Sequence, residues 1–260
     1  MLDTNFSTRL QYQTFGAQVI QLDPASIFYV SEIDQNEGRC WRGGQPVIFP
    51  QFADRGPIKK HGFARDVFWN LVAEEIAPRR HRLILSVNIN KCDFSDWPYE
   101  VNLILDVEYT SNLVSQSFEV RNTGREVISW TGGLHPYFSV IDITSASVKG
   151  LIGISYKDRY GSGEKVFGEE AMLFDKQPCE KLFNKSPDLQ LQTGSRLISL
   201  KTSGFDQWMV WNPGQDGAKE ISDLPDEDWK KFVCIEPVCV DRPVVLKPGE
   251  VFNGMFQIGF

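Results

Sequence analysis

Apolar and polar residues alternate with period two along much of this chain. Val101, Leu103, Leu105, Val107 and Tyr109 alternate with Glu100, Asn102, Asp106, Glu108 and Thr110, and only Ile104 breaks the pattern. Leu85, Val87 and Ile89 do the same against Ser86, Asn88 and Asn90, as do Phe118 and Val120 against Glu119 and Arg121. Phe256, Ile258 and Phe260 repeat the pattern near the end. Side chains of a strand point alternately to opposite faces, so each stretch predicts a strand with one buried and one wetter face. Turn chemistry separates them, as at Asn122-Thr123-Gly124 and Lys247-Pro248-Gly249-Glu250. Many such strands with short turns predict an all-β fold: one large antiparallel β-sandwich with few short helices, a single domain over residues 1–260.

Helical signals are sparse. Val67, Phe68, Leu71 and Val72 would fit a helix over 64–75, but the aromatic content and the preceding Gly62 favour a strand there. One short helix is expected over 225–232, where Pro225 suits a first helical position and acids at 226–228 favour the positive end of the dipole. Residues 161–187 read as irregular and exposed, and Gly161-Ser162-Gly163-Glu164-Lys165 matches neither a phosphate loop nor a dinucleotide loop.

A net charge of −7 argues against nonspecific nucleic-acid binding, although two or three local cations would suffice for a small anion. No apolar run approaches the ~20 residues of a membrane-spanning helix. The five cysteines include no C-x-x-C pair, and Met1-Leu2-Asp3-Thr4 does not open a signal peptide. The expectation is a cytoplasmic monomer with free thiols; Asn5-Phe6-Ser7 and Asn184-Lys185-Ser186 then carry no meaning as glycosylation sequences.

Only three histidines occur, and two sit in aromatic, glycine-flanked settings: His61-Gly62-Phe63-Ala64-Arg65 and His135-Pro136-Tyr137-Phe138. Histidine is suited to proton transfer near neutral pH. If 61–65 is a strand, His61 and Arg65 share a face about 13 Å apart at ~3.3 Å per residue; the plainer reading is a solvated loop after Lys59-Lys60. His135, held extended by Pro136, would share a face with Tyr137, or be a core histidine bonded to a carbonyl. His81, in Arg79-Arg80-His81-Arg82, reads as a solvated basic edge. The three lack metal-ligand spacing, so no metal is expected. Glu236 lies in the apolar run Val233-Cys234-Ile235-Glu236-Pro237-Val238. Burial there would raise its pKa toward the range of a working base; otherwise it is a strand-edge carboxylate held by an arginine such as Arg242. Asp206 shares a face with Trp208 if extended, which suits a sugar hydroxyl and a sugar face, although Gly204 makes a turn equally natural. Cys234 and Cys239 read as buried, inert thiols.

Taken in order, Arg42-Gly43-Gly44-Gln45-Pro46, Phe49-Pro50-Gln51-Phe52, His61-Gly62-Phe63-Ala64-Arg65, His135-Pro136-Tyr137-Phe138, Trp211-Asn212-Pro213 and Val233-Cys234-Ile235-Glu236 resemble the aldose 1-epimerase (mutarotase) superfamily over nearly the whole chain, and more closely its hexose-6-phosphate branch. The resemblance implies a galactose mutarotase-like β-supersandwich whose concave sheet face holds the sugar. It implies Glu236 as general base and His135 as general acid, with His61 and Asp206 positioning the sugar and Arg42 and Arg65 binding the phosphate. Gln51 and Trp208 complete the expected substrate contacts. No cofactor is implied, because the reaction only moves protons. Pro136 is a departure, since the phosphate branch often has threonine there. Other readings of the same face are an aldose 1-epimerase for unphosphorylated sugar, a non-catalytic carbohydrate-binding module, and a regulatory subunit.

Overall fold

A computed structural model describes residues 8–260; Met1 to Thr4 and the Asn5-Phe6-Ser7 tripeptide lie outside the described residues. Two large sheets form the body, and every ladder between their strands is antiparallel. The nine-stranded sheet runs, in spatial order, Ala171–Leu173, Ser147–Lys149, Leu189–Gln192, Leu197–Ser203, Val251–Gly259, Leu113–Asn122, Val101–Thr110, Arg80–Ile89 and Asn70–Ala77. The eight-stranded sheet runs Glu164–Val166, Ser155–Asp158, Cys179–Phe183, Gln207–Asn212, Phe232–Leu246, Ile128–Leu134 and Val47–Ile48, with Tyr137–Ser139 pairing off this path against the start of Phe232–Leu246. A small ladder of Arg9–Gln13 with Gln18–Asp23 lies beside them.

The alternation does what it predicts. Along Val101–Thr110 every second side chain is buried, beginning with Val101. The core lies between the sheets, where Trp208 meets Phe256 (ring centroids 5.9 Å apart) and Trp130 meets Phe252 (5.0 Å). Burial of each such side chain contributes on the order of 1.5–3 kcal/mol.

Four local expectations need correction. The strand foreseen over 64–75 begins only at Asn70. Ala64–Asp66 is a 3₁₀ turn, and His61 and Gly62 before it have φ of 67° and 69°. Gly62 is required there, because a Cβ would lie 2.1 Å from the Phe49 carbonyl oxygen. The helix over 225–232 is a 3₁₀ turn at Asp228–Lys231, entered by an Asp228 N–H bond to the Pro225 carbonyl. The 161–187 segment contains three short strands, and Phe167, Met172, Phe174, Leu182 and Phe183 within it are buried. Finally, His81 is not solvated: its Nδ1 accepts the Leu10 N–H at 2.8 Å and its Nε2 meets Glu74 at 3.0 Å, so burial leaves no polar atom of the ring unpaired.

Candidate active site

The strand Phe232–Leu246 departs from the alternating rule, since all nine residues from Phe232 to Val240 are buried. Both of its faces are therefore covered. Register shows how: Met209 lies opposite Glu236 and Trp211 opposite Cys234, while Leu182 lies opposite Met209 and Glu180 opposite Trp211. Directly paired residues point to the same face. Glu180, Leu182, Met209, Trp211 and Glu236 thus share one face of the eight-stranded sheet, and Trp208, Val210 and Ile235 take the other, toward the core.

A cavity of about 160 Å³ opens on the first of these faces. Glu236, His135, Met209 and Trp211 line it together with Tyr137, Phe52 and His61. Arg42, Lys60, Arg65 and Arg159 bring positive charge to it, and Glu180 brings an acid. A larger hollow of about 370 Å³ lies elsewhere, but its charged lining residues Lys91, Arg125 and Glu126 are exposed and Glu100 is half-exposed.

Each polar side chain is positioned by identifiable backbone. His135 follows the strand Ile128–Leu134, its N–H bonded to the Pro46 carbonyl at 3.0 Å. Its ring stacks on Tyr137 (4.8 Å, 12°) and meets Trp211 edge-on at 5.9 Å. That leaves Nε2 3.5 Å from Glu236 Oε1, while His135 Nδ1 and Glu236 Oε2 are buried without any hydrogen-bond partner among the described residues. Buried polar atoms left unsatisfied are costly and mark places where a ligand has polar work to do. His61 sits on the turn, not on a strand. Its Nδ1 accepts the Ala53 N–H at 3.3 Å, and its ring lies 5.6 Å from that of His135.

The electrostatics follow from burial. Glu236 is held well above the usual carboxylate range, first by desolvation and then by Glu180. Desolvation, followed by Arg65 and Arg42, pushes His135 down to about 3. His61 is lowered as well, by burial and then by His135 and Arg65. Burial therefore makes both members of the His135–Glu236 pair favour their neutral forms, and 3.5 Å is longer than a charge-assisted hydrogen bond of ~2.7–2.9 Å. Their separation suits two groups that reach a third molecule rather than each other.

The remaining expected residues divide. Arg42 and Arg65 border the cavity. Trp208 does not: it is fully buried on the core side, its indole N–H bonded to the Pro187 carbonyl at 2.8 Å. Asp206 lies beyond the cavity lining, paired with Arg242, so the arginine proposed for Glu236 serves Asp206 instead. Gln51 is committed to its own loop: Nε2 donates to the Ala53 and Ile58 carbonyls (3.1 and 2.8 Å) and Oε1 accepts the Ile58 N–H at 3.0 Å. Conversely, Lys60, Arg159, Glu180 and Met209 line the cavity without having been proposed as site residues, and Trp211, present in the sequence only as part of the Trp211-Asn212-Pro213 motif, joins them. Met209 and Trp211 have the parity opposite to Trp208, and their pairing with Glu236 and Cys234 puts them on the cavity side. His135, Cys234 and Glu236 offer ligand atoms within 4.8 Å of one another, a set able in principle to hold a metal ion.

A sequence model of the aldose 1-epimerase family matches residues 36–259. The chain belongs to that family. A Cenchrus ciliaris protein carrying the provisional name glucose-6-phosphate 1-epimerase is 29% identical over 229 residues, which is 84% of this chain and 69% of the relative. A protein of Escherichia coli K12 with the same provisional name is 26% identical over 231 residues, 85% of this chain and 76% of its own. The crystal structure of a provisionally named mutarotase from Salmonella typhimurium, YeaD, superposes with a TM-score of 0.87 at 22% identity, covering 97% of this chain and 87% of the other. Galactose 1-epimerase from Lactobacillus acidophilus NCFM superposes with a TM-score of 0.74 at 10% identity, over 100% and 92%. At these identities the structural matches establish the shared mutarotase fold, and the family model establishes an aldose 1-epimerase type of enzyme.

Proposed function

We propose that this family member interconverts the α and β anomers of a hexose 6-phosphate, with glucose 6-phosphate as the principal substrate. The observation that carries the reading is the buried Glu236–His135 pair, 3.5 Å apart on the cavity floor, beneath a rim holding Arg42, Lys60 and Arg65. The floor supplies proton transfer and the rim supplies phosphate recognition. The relatives at 26–29% identity named for glucose 6-phosphate support the same substrate.

Glu236 removes the proton of the anomeric hydroxyl while His135 donates one to the ring oxygen. The ring C–O bond breaks and the aldehyde turns about C1–C2. Reclosure from the other face returns each proton by the reverse transfers. The pair carries one proton in all. Burial places it on Glu236, which is also its location in the open-chain complex. Binding the cyclic sugar phosphate must shift it to His135. The phosphate assists, because its negative charge offsets Arg65 and Arg42, two of the causes that hold His135 unprotonated. Each placed acid or base contributes ~10²- to 10⁴-fold. Glu180, on the same face, accepts from sugar hydroxyls, and Trp211 offers its ring to the sugar's apolar face.

Anomer exchange followed by NMR, on glucose 6-phosphate and on glucose, tests the reading. Acceleration at least tenfold greater in kcat/KM for the phosphate is expected. Equal acceleration of both sugars would reassign the substrate, and saturable binding without acceleration would reduce the chain to a carbohydrate-binding module.

A further inference from the structure

Arg42 has its own partners before any substrate arrives. Nε donates to Asp223 Oδ1 at 3.0 Å, Nη2 donates to Asp223 Oδ2 at 3.3 Å, and Nη1 donates to the Tyr137 hydroxyl at 3.1 Å. A guanidinium carries five N–H groups in a rigid plane. Three are committed, which leaves one on Nη1 and one on Nη2. With the Nε–Nη2 edge taken by Asp223, the remaining N–H of Nη2 lies on the far end of the fork, where it can meet a phosphate oxygen.

Asp223 reaches Arg42 from a different side than a sugar would. It lines an adjoining hollow of about 230 Å³, not the catalytic cavity, and Arg42 with Tyr137 forms part of the wall between the two. The ion pair is largely shielded, with side-chain exposures of 25% for Arg42 and 16% for Asp223. It is therefore less weakened by water than an exposed pair. Arg65 borders both spaces too, but among the described residues it has no carboxylate partner. The two arginines at the rim thus differ: one is clamped and one is loose.

Resting on the hexose-phosphate reading above, we infer that Asp223 is a positioning residue for phosphate recognition: it grips the Nε–Nη2 edge of Arg42 so that the free end of the fork is presented to the 6-phosphate. It touches neither the sugar nor the phosphate. Its cost is a negative charge near an anionic ligand; its gain is that no arginine rotamer has to be selected during binding. Orientation outweighs charge here, because the carboxylate is spent on two hydrogen bonds facing away from the cavity.

The test is a cycle of Asp223→Ala, Arg42→Ala and the double variant, with Asp223→Asn as the isosteric control, each assayed by NMR anomer exchange on glucose 6-phosphate and on glucose. Asp223→Ala is expected to raise KM for glucose 6-phosphate about tenfold with kcat within about twofold, and to change kcat/KM for glucose by less than about twofold. Asp223→Asn keeps one acceptor and is expected to raise the same KM about threefold, an answer that stands even if the alanine variant folds poorly. In the Arg42→Ala background, Asp223→Ala is expected to add less than about twofold, since its effect runs through Arg42. A lowered KM would make Asp223 a competitor of the phosphate and overturn the inference. So would equal losses on both sugars, or independent effects in the double variant. A KM that responds to Arg42→Ala but not to Asp223→Ala or Asp223→Asn would remove this inference alone. Wild-type protein that does not accelerate glucose 6-phosphate at all would remove the functional reading with it.

Discussion

The strands Val101–Thr110 and Phe232–Leu246 look alike in the ladder diagram, yet they obey different rules. Val101–Thr110 buries every second residue and leaves the others half-exposed. Phe232–Leu246 buries its first nine residues without a break, including a glutamate. The first has one face to fill and so has only a packing role. The second has a core on one side and the Glu236-lined cavity on the other. Along Phe232–Leu246, the stretch where alternating burial fails is the stretch that carries Glu236 to the cavity.

The largest effect should come from Glu236→Gln. The amide keeps the shape and removes the base, so kcat for anomer exchange is expected to fall ~10³-fold or more while the unfolding midpoint holds or rises, because a costly buried acid has gone. Near-normal exchange rates would break the contrast between the two strands. Leu105→Ala, in the strand with the ordinary rule, should do the reverse. Leu105 is fully buried, so unfolding free energy from denaturant titration should drop by ~2–5 kcal/mol while kcat of the folded fraction is unchanged.

A third expectation concerns pH. The folded-state pKa of His135 is depressed from 6.5 to about 3, and that of His61 is depressed as well. Their contributions are present above the unfolded value near 6.5 and are lost as pH falls toward the folded value. Between pH 8 and pH 5 the His135 contribution alone amounts to about 2 kcal/mol. Glu236, whose folded-state pKa is raised, acts with the opposite sign over the same window in both proteins, so the His135 share is read as the extra loss of wild type over the His135→Asn variant in urea melts at the two pH values. An equal loss in the variant would mean that the ring is not held neutral. Smaller again is Arg65→Ala, expected to raise KM for glucose 6-phosphate about tenfold and to spare glucose. Equal change on both sugars would move the phosphate away from the rim.

The same contrast explains how much of the molecule is legible in its sequence. Strands with one wet face announce themselves by period two, and so the antiparallel sandwich was legible. Glu236 was legible for the opposite reason, as an acid where only apolar residues should be. Trp208 was misread because an aromatic residue near an acid suits a sugar equally well from either face of a strand. Only the pairing of Met209 with Glu236 decides which parity faces the cavity, and pairing is nonlocal. Glu180 was invisible because its strand, Cys179–Phe183, is short and lies in a segment of charged residues that reads as loop. For His61 the sequence leaves a strand and a solvated loop both open, and the φ of 67° it adopts goes with the close approach of Phe49 to Gly62, which local sequence does not encode.

The smallest effect is the most discriminating. Asp206 carries the same parity as Trp208 and is held by Arg242 at the surface, outside the cavity lining. The pair is half-exposed, with side-chain exposures of 52% for Arg242 and 37% for Asp206, so losing its charge should cost no more than ~1 kcal/mol. Asp206→Asn is therefore expected to leave both kcat and KM for glucose 6-phosphate within about twofold of wild type. Arg242 would still donate to the Asn184 carbonyl at 2.8 Å, so the local backbone should stay in place. A tenfold rise in KM would show that Asp206 leaves Arg242 and turns toward bound sugar. The face opposite the Glu236 row would then contribute to recognition, and strand parity would no longer mark the boundary between packing and chemistry.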